Sequence, residues 1–156
     1  MSEPLNRTAT SDRSRPTDRD GCWHDASVRG SDALSQIALR LAHDLACRFP
    51  GIEVRFAQDE DAMACHVSDG DSPWGAVSTW VDAEDELLDV EIEELLASIT
   101  EDVADNLWPD GLTEPWPPCP RHGDHPLHPA VVRERAAWAC RQDERIAIVI
   151  GSLGGS

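Results

Sequence analysis

Two short loops near the C-terminus carry residues that can bind a metal ion. The first loop offers Cys119 and His122, and the second offers Cys140 and Asp143 at the same spacing. Thiolates and imidazoles are donors that a structural zinc ion prefers, and two intervening residues let both side chains of a tight loop meet one ion. The segment between the loops has the length of a β-hairpin that joins paired ligand loops. The sequence therefore predicts a module resembling a zinc ribbon.

The identity of the fourth ligand stays open at this level. Asp143 keeps the loop spacing, but its carboxylate is a harder donor than a thiolate or an imidazole. His125 is chemically the better donor, although the chain at Gly123-Asp124 must fold back to bring it to the ion. His128 is a further competitor, and it falls where the next strand is expected. Cys119, Cys140 and His122 are thus the first three predicted ligands, with Asp143 and His125 nearly even for the fourth place.

A structural role for the metal is favoured over a catalytic one. A hairpin of this size is too small to bury a core, so a bound ion would supply the missing stability. A catalytic zinc needs three protein ligands, an open position and a substrate cleft, with Glu144 or Asp124 as a conceivable base. Two other interpretations leave out the metal: a surface loop with chance histidines over a buried Cys140, or a Cys119–Cys140 disulfide in an oxidising compartment.

The C-terminal motifs resemble the terminal module of small uncharacterised actinobacterial proteins. The resemblance covers the region from Trp116 to the end of the sequence and rests on the following motifs: Trp116-Pro117-Pro118-Cys119-Pro120-Arg121-His122, His125-Pro126-Leu127, Trp138-Ala139-Cys140 and Ile148-Val149-Ile150-Gly151. Those tails usually show Cys-Pro in the second loop and a glycine in the hairpin turn. Here Arg141 follows the cysteine and Glu134-Arg135 occupies the expected turn. The resemblance implies a zinc-ribbon-like module and implies no activity.

The charge of the chain is strongly uneven. The formal net charge is −17, there is no lysine, and residues 31–118 hold 21 acidic side chains against Arg40, Arg48 and Arg55. Residues 119–156 carry five arginines against four acids. An acidic field repels phosphates and attracts basic surfaces, so direct nucleic-acid binding by the middle of the chain is disfavoured and a basic protein partner is favoured.

The hydrophobic pattern upstream predicts a two-layer α+β domain with the order helix, three strands, helix. A first helix is expected from Asp32 to about Arg48 and a second, with a densely acidic outer face, from about Ala83 to Trp108. Between them, alternation predicts a strand over Ile52–Phe56, a second strand with Met63, Cys65 and Val67 on one face, and a third over Gly75–Val81. Cys65 is expected in the core, with His66 on the opposite face.

The predicted organisation of the chain has five segments. They are a disordered N-terminal tail (1–30), an acidic α+β domain (31–111), a Pro-rich linker (112–118), the zinc-ribbon-like module (119–151) and a flexible C-terminus (152–156). The cluster Cys22-Trp23-His24 interrupts the polar tail. Within the module, Leu127–Arg133 and Ala136–Cys140 are expected to pair, with Ile146–Ile150 as a third strand.

Three functions are compatible with this sequence. The leading hypothesis is a non-enzymatic interaction or adaptor protein that carries a structural zinc ribbon. The second is an acidic nucleic-acid mimic that inhibits a DNA- or RNA-binding protein. The third is a small zinc-dependent hydrolase. No signal peptide and no membrane-spanning run are expected, so a cytoplasmic location is predicted.

Overall fold

The computed structural model describes residues 27–109 and 113–154 and shows a mixed architecture of two helices and three small antiparallel sheets. The predicted helix, three strands and helix occur in that order, but two unpredicted two-residue strands are present as well, and a C-terminal three-stranded sheet follows. The elements are β1 (Val28–Arg29), α1 (Gly30–Ala46), β2 (Ile52–Asp59), β3 (Ala62–Asp69), β4 (Ser72–Ser78), β5 (Glu86–Leu87), α2 (Asp89–Asn106), β6 (His128–Val132), β7 (Arg135–Ala139) and β8 (Ala147–Val149). No helix in the described ranges is long and apolar enough to cross a membrane.

Helix α1 buries the apolar stripe expected from its spacing, with Leu34, Ile37, Leu41 and Leu45 all buried. It begins at Gly30, two residues before the predicted cap. A Cβ atom at Gly30 would collide with the carbonyl oxygen of Asp82, so only glycine lets the helix start this close to the neighbouring loop.

The start of the described chain corrects the predicted tail boundary. Residues 27–30 were expected to belong to a disordered tail, but Val28 and Arg29 pair with Leu87 and Glu86 in the short β1–β5 sheet. The apolar Val28 contributes to the edge of the core. Residues 1–26, including the Cys22-Trp23-His24 cluster, lie outside the described residues.

Strands β2, β3 and β4 form an antiparallel meander. Val54 lies opposite Val67 and Phe56 lies opposite Cys65, so the alternating apolar residues of both strands share one face. Cys65 is fully buried, as predicted, and burial raises the pKa of its thiol to about 12. The third strand starts at Ser72, three residues earlier than the pattern indicated.

Helix α2 is shorter than predicted because residues 82–88 form a turn and strand β5 instead of a first helical turn. The side chain of Glu91 accepts a hydrogen bond from the backbone N–H of Leu88 at 2.7 Å, which satisfies one donor at the helix start. Ile92, Leu95 and Ile99 lie on the buried face.

One acidic residue of α2 is misplaced by the sequence prediction. Glu93 was assigned to the solvent-facing acidic side, yet it is buried next to strand β7. It pairs with Arg40 of α1 at 2.6 Å and accepts the backbone N–H of Ala136 in β7 at 2.6 Å. The face that carries Glu93 is therefore an interior surface.

The C-terminal sheet has the order β6-β7-β8. Its hairpin turn is Arg133-Glu134, one residue earlier than predicted, and both residues have positive φ (49° and 63°). Positive φ at both central residues is typical of the type I′ turn, whose twist matches that of the flanking strands, and here non-glycine residues adopt it. We call residues 119–151, with this sheet and the two ligand loops, the ribbon.

The ribbon and the helices share one hydrophobic core. Helix α2 packs against both β6 and β7, and Trp138 of β7 is buried. The predicted linker is packed as well: Trp116 stacks on Trp108 at a ring-centroid distance of 5.2 Å and meets Trp138 edge to face at 5.7 Å. The described part of the linker therefore belongs to the interface between the ribbon and the rest of the molecule.

A buried carboxylate fixes this interface. Asp44 of α1 is fully buried and accepts the indole N–H of Trp138 at 2.7 Å. It also accepts the backbone N–H groups of Gly151 and Leu153 at 2.8 and 2.9 Å. Three donors from the ribbon end of the chain thus satisfy one carboxylate on the first helix.

Candidate metal centre

The first ligand loop is closed by backbone hydrogen bonds that fold the chain back on itself. The N–H of Gly123 donates to the carbonyl of Cys119 at 2.8 Å, and Gly123 has a φ of 72°, which favours glycine. The N–H of Cys119 donates to the carbonyl of His125 at 3.1 Å. This fold-back at Gly123-Asp124 is the condition under which His125 can reach the same ion as Cys119.

The second loop is held in a comparable way. Its ends meet where the N–H of Cys140 donates to the carbonyl of Ile146 at 3.0 Å. The N–H of Ile146 donates to the carbonyl of Asp143 at 3.0 Å, which tightens the turn. The N–H of Gln142 points at the Sγ of Cys140 at 3.4 Å. Such an N–H to sulfur contact stabilises negative charge on the sulfur.

Four donor atoms converge between the two loops. Cys119, His122, His125 and Cys140 each offer one ligand atom, and all four atoms lie within 4.8 Å of one another. The Nδ1 of His122 is 3.2 Å from the Sγ of Cys119 and 3.6 Å from the Sγ of Cys140. The Nε2 of His125 is 3.2 Å from the Sγ of Cys140. These four residues lie close enough together to hold a metal ion.

Asp143 is not a member of this group. Its Oδ2 accepts a hydrogen bond from Arg121 at 2.7 Å, and its Oδ1 accepts the N–H of Arg145 at 3.0 Å. The Arg121–Asp143 pair joins the two ligand loops from outside the centre. Of the two candidates for the fourth position, the structure brings His125 to the other donors and gives Asp143 this bracing role.

His128, the remaining competitor, also lies outside the group. It is the first residue of β6, where its ring packs into the wall of a neighbouring groove. Its Nδ1 atom is buried and has no hydrogen-bond partner among the described residues.

The electrostatics of the centre favour the deprotonated thiolate. Burial raises the pKa of the Cys119 thiol, but hydrogen bonds from the backbone N–H groups of His122 and Arg121, and from the His122 and Cys140 side chains, outweigh it and hold the pKa at about 6. Metal binding requires the thiolate, so a lowered pKa reduces competition by protons near neutral pH.

A carboxylate orients one of the histidines. The Nδ1 of His125 lies 2.8 Å from the Oδ1 of Asp124, which leaves Nε2 directed toward the other donors. The hydrogen bonds to Cys140 and Asp124 raise the pKa of His125, and the bond to His125 lowers the pKa of Asp124. Metal-binding histidines commonly donate their second ring nitrogen to a carboxylate, which fixes the tautomer.

The four donor residues differ in their exposure to solvent. Cys119 and Cys140 are 1% and 3% exposed, His125 is half-buried, and His122 lies at the surface. Among the described residues, no other group of histidine, cysteine and acidic side chains converges in this way. The sequence singled out all four donors, whereas the orienting role of Asp124 had no signal beyond its position beside His125.

Comparison with known proteins does not add to this picture, because no family model, no curated protein and no solved structure matches the chain.

Proposed function

We propose that this protein is a non-enzymatic interaction protein whose ribbon is held together by a structural zinc ion at Cys119, His122, His125 and Cys140. The observation that carries the proposal is the convergence of two thiols and two imidazoles within 4.8 Å. The ion would supply stability to a sheet whose interior is small, as metal ions do in other modules of this size.

Zinc fits this donor set better than other common ions. Two sulfur and two nitrogen donors are typical of tetrahedral zinc sites, whereas calcium and magnesium take oxygen ligands. In a tetrahedral zinc site, neighbouring donors are about 3.3–3.8 Å apart, given metal–ligand bonds of about 2.0–2.3 Å. The separations of 3.2 and 3.6 Å around Cys119, His122 and Cys140 are close to that range.

The completeness of the donor set supports a structural role. Four protein ligands fill a tetrahedral ion and leave no position for a water nucleophile, whereas catalytic zinc sites keep one position open. Asp124, a conceivable general base, already accepts a hydrogen bond from His125. These features favour a structural zinc site over the catalytic site of the hydrolase hypothesis.

The metal assignment is tested by elemental analysis and native mass spectrometry of the full-length protein. We expect one zinc ion per chain, and loss of that ion in Cys119→Ser and Cys140→Ser. Cys47→Ser is the matched control, because Cys47 is exposed and lies outside the donor group. A wild-type protein that takes up no zinc on titration with the metal would overturn the proposal.

The proposed partner is a basic protein. The middle of the chain has a large excess of acidic residues, and most of the described ones are exposed, among them Asp59 at the end of β2 and Glu60 and Asp61 in the turn that follows. A surface of this charge attracts basic surfaces and accelerates their association.

A second candidate is mimicry of a nucleic acid. The exposed carboxylates of α2, Glu94, Glu101 and Asp105, follow one another along the helix, and Asp82, Glu84 and Asp85 precede it at the surface. Such a row can occupy the basic groove of a DNA- or RNA-binding protein. Binding that competes with DNA and weakens steeply with salt supports mimicry, and binding that is insensitive to both contradicts it.

A further inference from the structure

A groove lies between the C-terminal half of α2, the segment before Cys119 and the ribbon. Its volume is about 440 Å³, within the range of ligand pockets. It borders the metal centre, because His125 contributes to its wall. The groove also has both apolar and charged lining residues, including Asp105, Trp108, Glu114, Trp116, His128 and Arg141.

The apolar wall is formed by indole rings and prolines. Trp108 and Trp116 are stacked with an interplanar angle of 27° and both are only partly buried. Pro115, Pro126 and Pro129 extend this wall. Indole rings attract cationic groups and also pack well against the methylene stems of arginine and lysine.

The rim of the groove carries more negative than positive charge. Asp105 and Glu114 are exposed, and neither forms an ion pair with another residue in the described ranges. Arg141 is the opposing charge on the ribbon side. Two carboxylates against one guanidinium, on a strongly acidic part of the chain, favour a cationic occupant.

We propose that this groove binds an arginine- or lysine-containing peptide segment of a partner protein. The basic head of that residue lies at the carboxylates of Asp105 and Glu114, and its stem packs on Trp108 and Trp116. This inference rests on the proposed function, since it places the contact with a basic partner at the junction of ribbon and helix.

The test uses the zinc-loaded full-length protein and peptides selected from a random phage-displayed library. The most enriched peptide is synthesised with a fluorescent label, and its Kd is measured by anisotropy. We expect an arginine or lysine flanked by apolar residues or proline. We also expect the double variant Asp105→Asn/Glu114→Gln to bind about fivefold more weakly, since each carboxylate contributes as an exposed charge pair does.

A matched control separates the groove from the general acidity of the chain. Glu60→Gln/Asp61→Asn removes the same number and kinds of carboxylate from an exposed turn outside the groove, and we expect the wild-type Kd. Zinc content is measured for every variant, because the groove borders the metal centre.

Three outcomes would overturn the inference: no enrichment of any peptide, enriched peptides without basic residues, or equal loss of binding in the groove and control variants. Equal loss would leave the proposed function standing with its contact elsewhere on the acidic surface. Failure of the zinc assignment would appear separately, as absence of metal in the wild-type protein.

Discussion

The acidic helices and strands of residues 27–109 and the ribbon are stabilised in different ways. Between α1, α2 and the β2–β4 sheet, leucine and isoleucine side chains fill a conventional core. The buried positions of β7 are mostly alanine, with Trp138 as the one large side chain among them. A small apolar interior gains little from burial alone, so the ribbon depends on its contacts with the helices and, in our proposal, on a metal ion. Removing these supports one at a time separates their contributions.

The largest expected effect is that of metal removal. Structural zinc ions contribute on the order of 10 kcal/mol to the folding of small modules. We expect chelation, or Cys140→Ser, to abolish ordered packing of the ribbon and to lower the unfolding temperature strongly. Differential scanning calorimetry with and without zinc measures this, with Cys47→Ser as the control. Equal unfolding temperatures for both forms would mean that the ribbon needs no ion.

The next effect is loss of the buried carboxylate on α1. In Asp44→Ala the indole N–H of Trp138 and two backbone N–H groups lose their acceptor. We expect the free energy of unfolding to fall by about 3–5 kcal/mol in denaturant titrations, because unpaired buried donors are costly.

Two further variants control the Asp44 measurement. Asp44→Asn keeps one acceptor oxygen and should lose less. Asp32→Ala, at an exposed site in the first turn of the same helix, should change stability by less than about 1 kcal/mol. A small effect of Asp44→Ala would show that the ribbon docks independently of the Asp44 carboxylate.

We expect Glu93 to make the docking of the ribbon pH-dependent. Burial raises the pKa of this carboxyl, but the hydrogen bonds to Arg40 and Ala136 and the charges of Arg40 and Arg135 outweigh it, so its pKa is lowered. A carboxyl with a lowered folded-state pKa contributes stability above its unfolded pKa, and that contribution is lost as the pH falls through the folded value.

The corresponding experiment compares wild type with Glu93→Gln across pH. Near neutral pH we expect the variant to be less stable by about 2–3 kcal/mol, since a partly buried ion pair is broken. The difference should begin to shrink as the pH falls below the ordinary glutamate pKa and should vanish only below the lowered folded-state pKa, where both proteins carry a neutral side chain. Because the metal centre is common to both, its own acid sensitivity cancels in the difference. A pH-independent difference would assign the effect to packing alone.

The smallest effects concern the surroundings of the metal centre. Asp124→Asn removes the carboxylate that orients His125, and we expect zinc affinity to weaken by about 10- to 100-fold. Asp143→Asn should leave the affinity nearly unchanged, because the structure places this side chain outside the donor group. Competition with a chromophoric chelator measures both values. If Asp143→Asn weakened zinc binding more than Asp124→Asn did, Asp143 rather than His125 would be assigned as the fourth ligand.

Sequence periodicity predicts much of the fold because local rules govern its main elements. The apolar stripe of α1 and the alternation in β2 reflect burial of one face, which depends on each element alone. The start of α2 was wrong because residues 82–88 pair with the chain before α1 and close around Gly30, a contact between distant segments. Helical spacing likewise puts Glu93 on a polar face, and only the docking of the ribbon buries it.

The candidate site was predictable to the level of its residue types. Cysteine and histidine spacing identified the two loops, but the choice between Asp143 and His125 depends on backbone hydrogen bonds within the first loop. The spacing of residues in the sequence does not show whether the chain folds back at Gly123 and brings His125 to the other donors. The role of Asp44 had no local signal, since its three donors are about a hundred residues away along the chain.

The bond between Trp138 and Asp44 limits how the ribbon can be used as a building block. A graft of residues 116–151 onto another scaffold would carry the indole without its acceptor and would expose the face that α2 covers. A recipient would need an acidic residue at the equivalent point of a helix and an apolar face beside it. Although both ligand loops lie within the ribbon, we therefore do not expect the ribbon to fold when it is transferred alone to another protein.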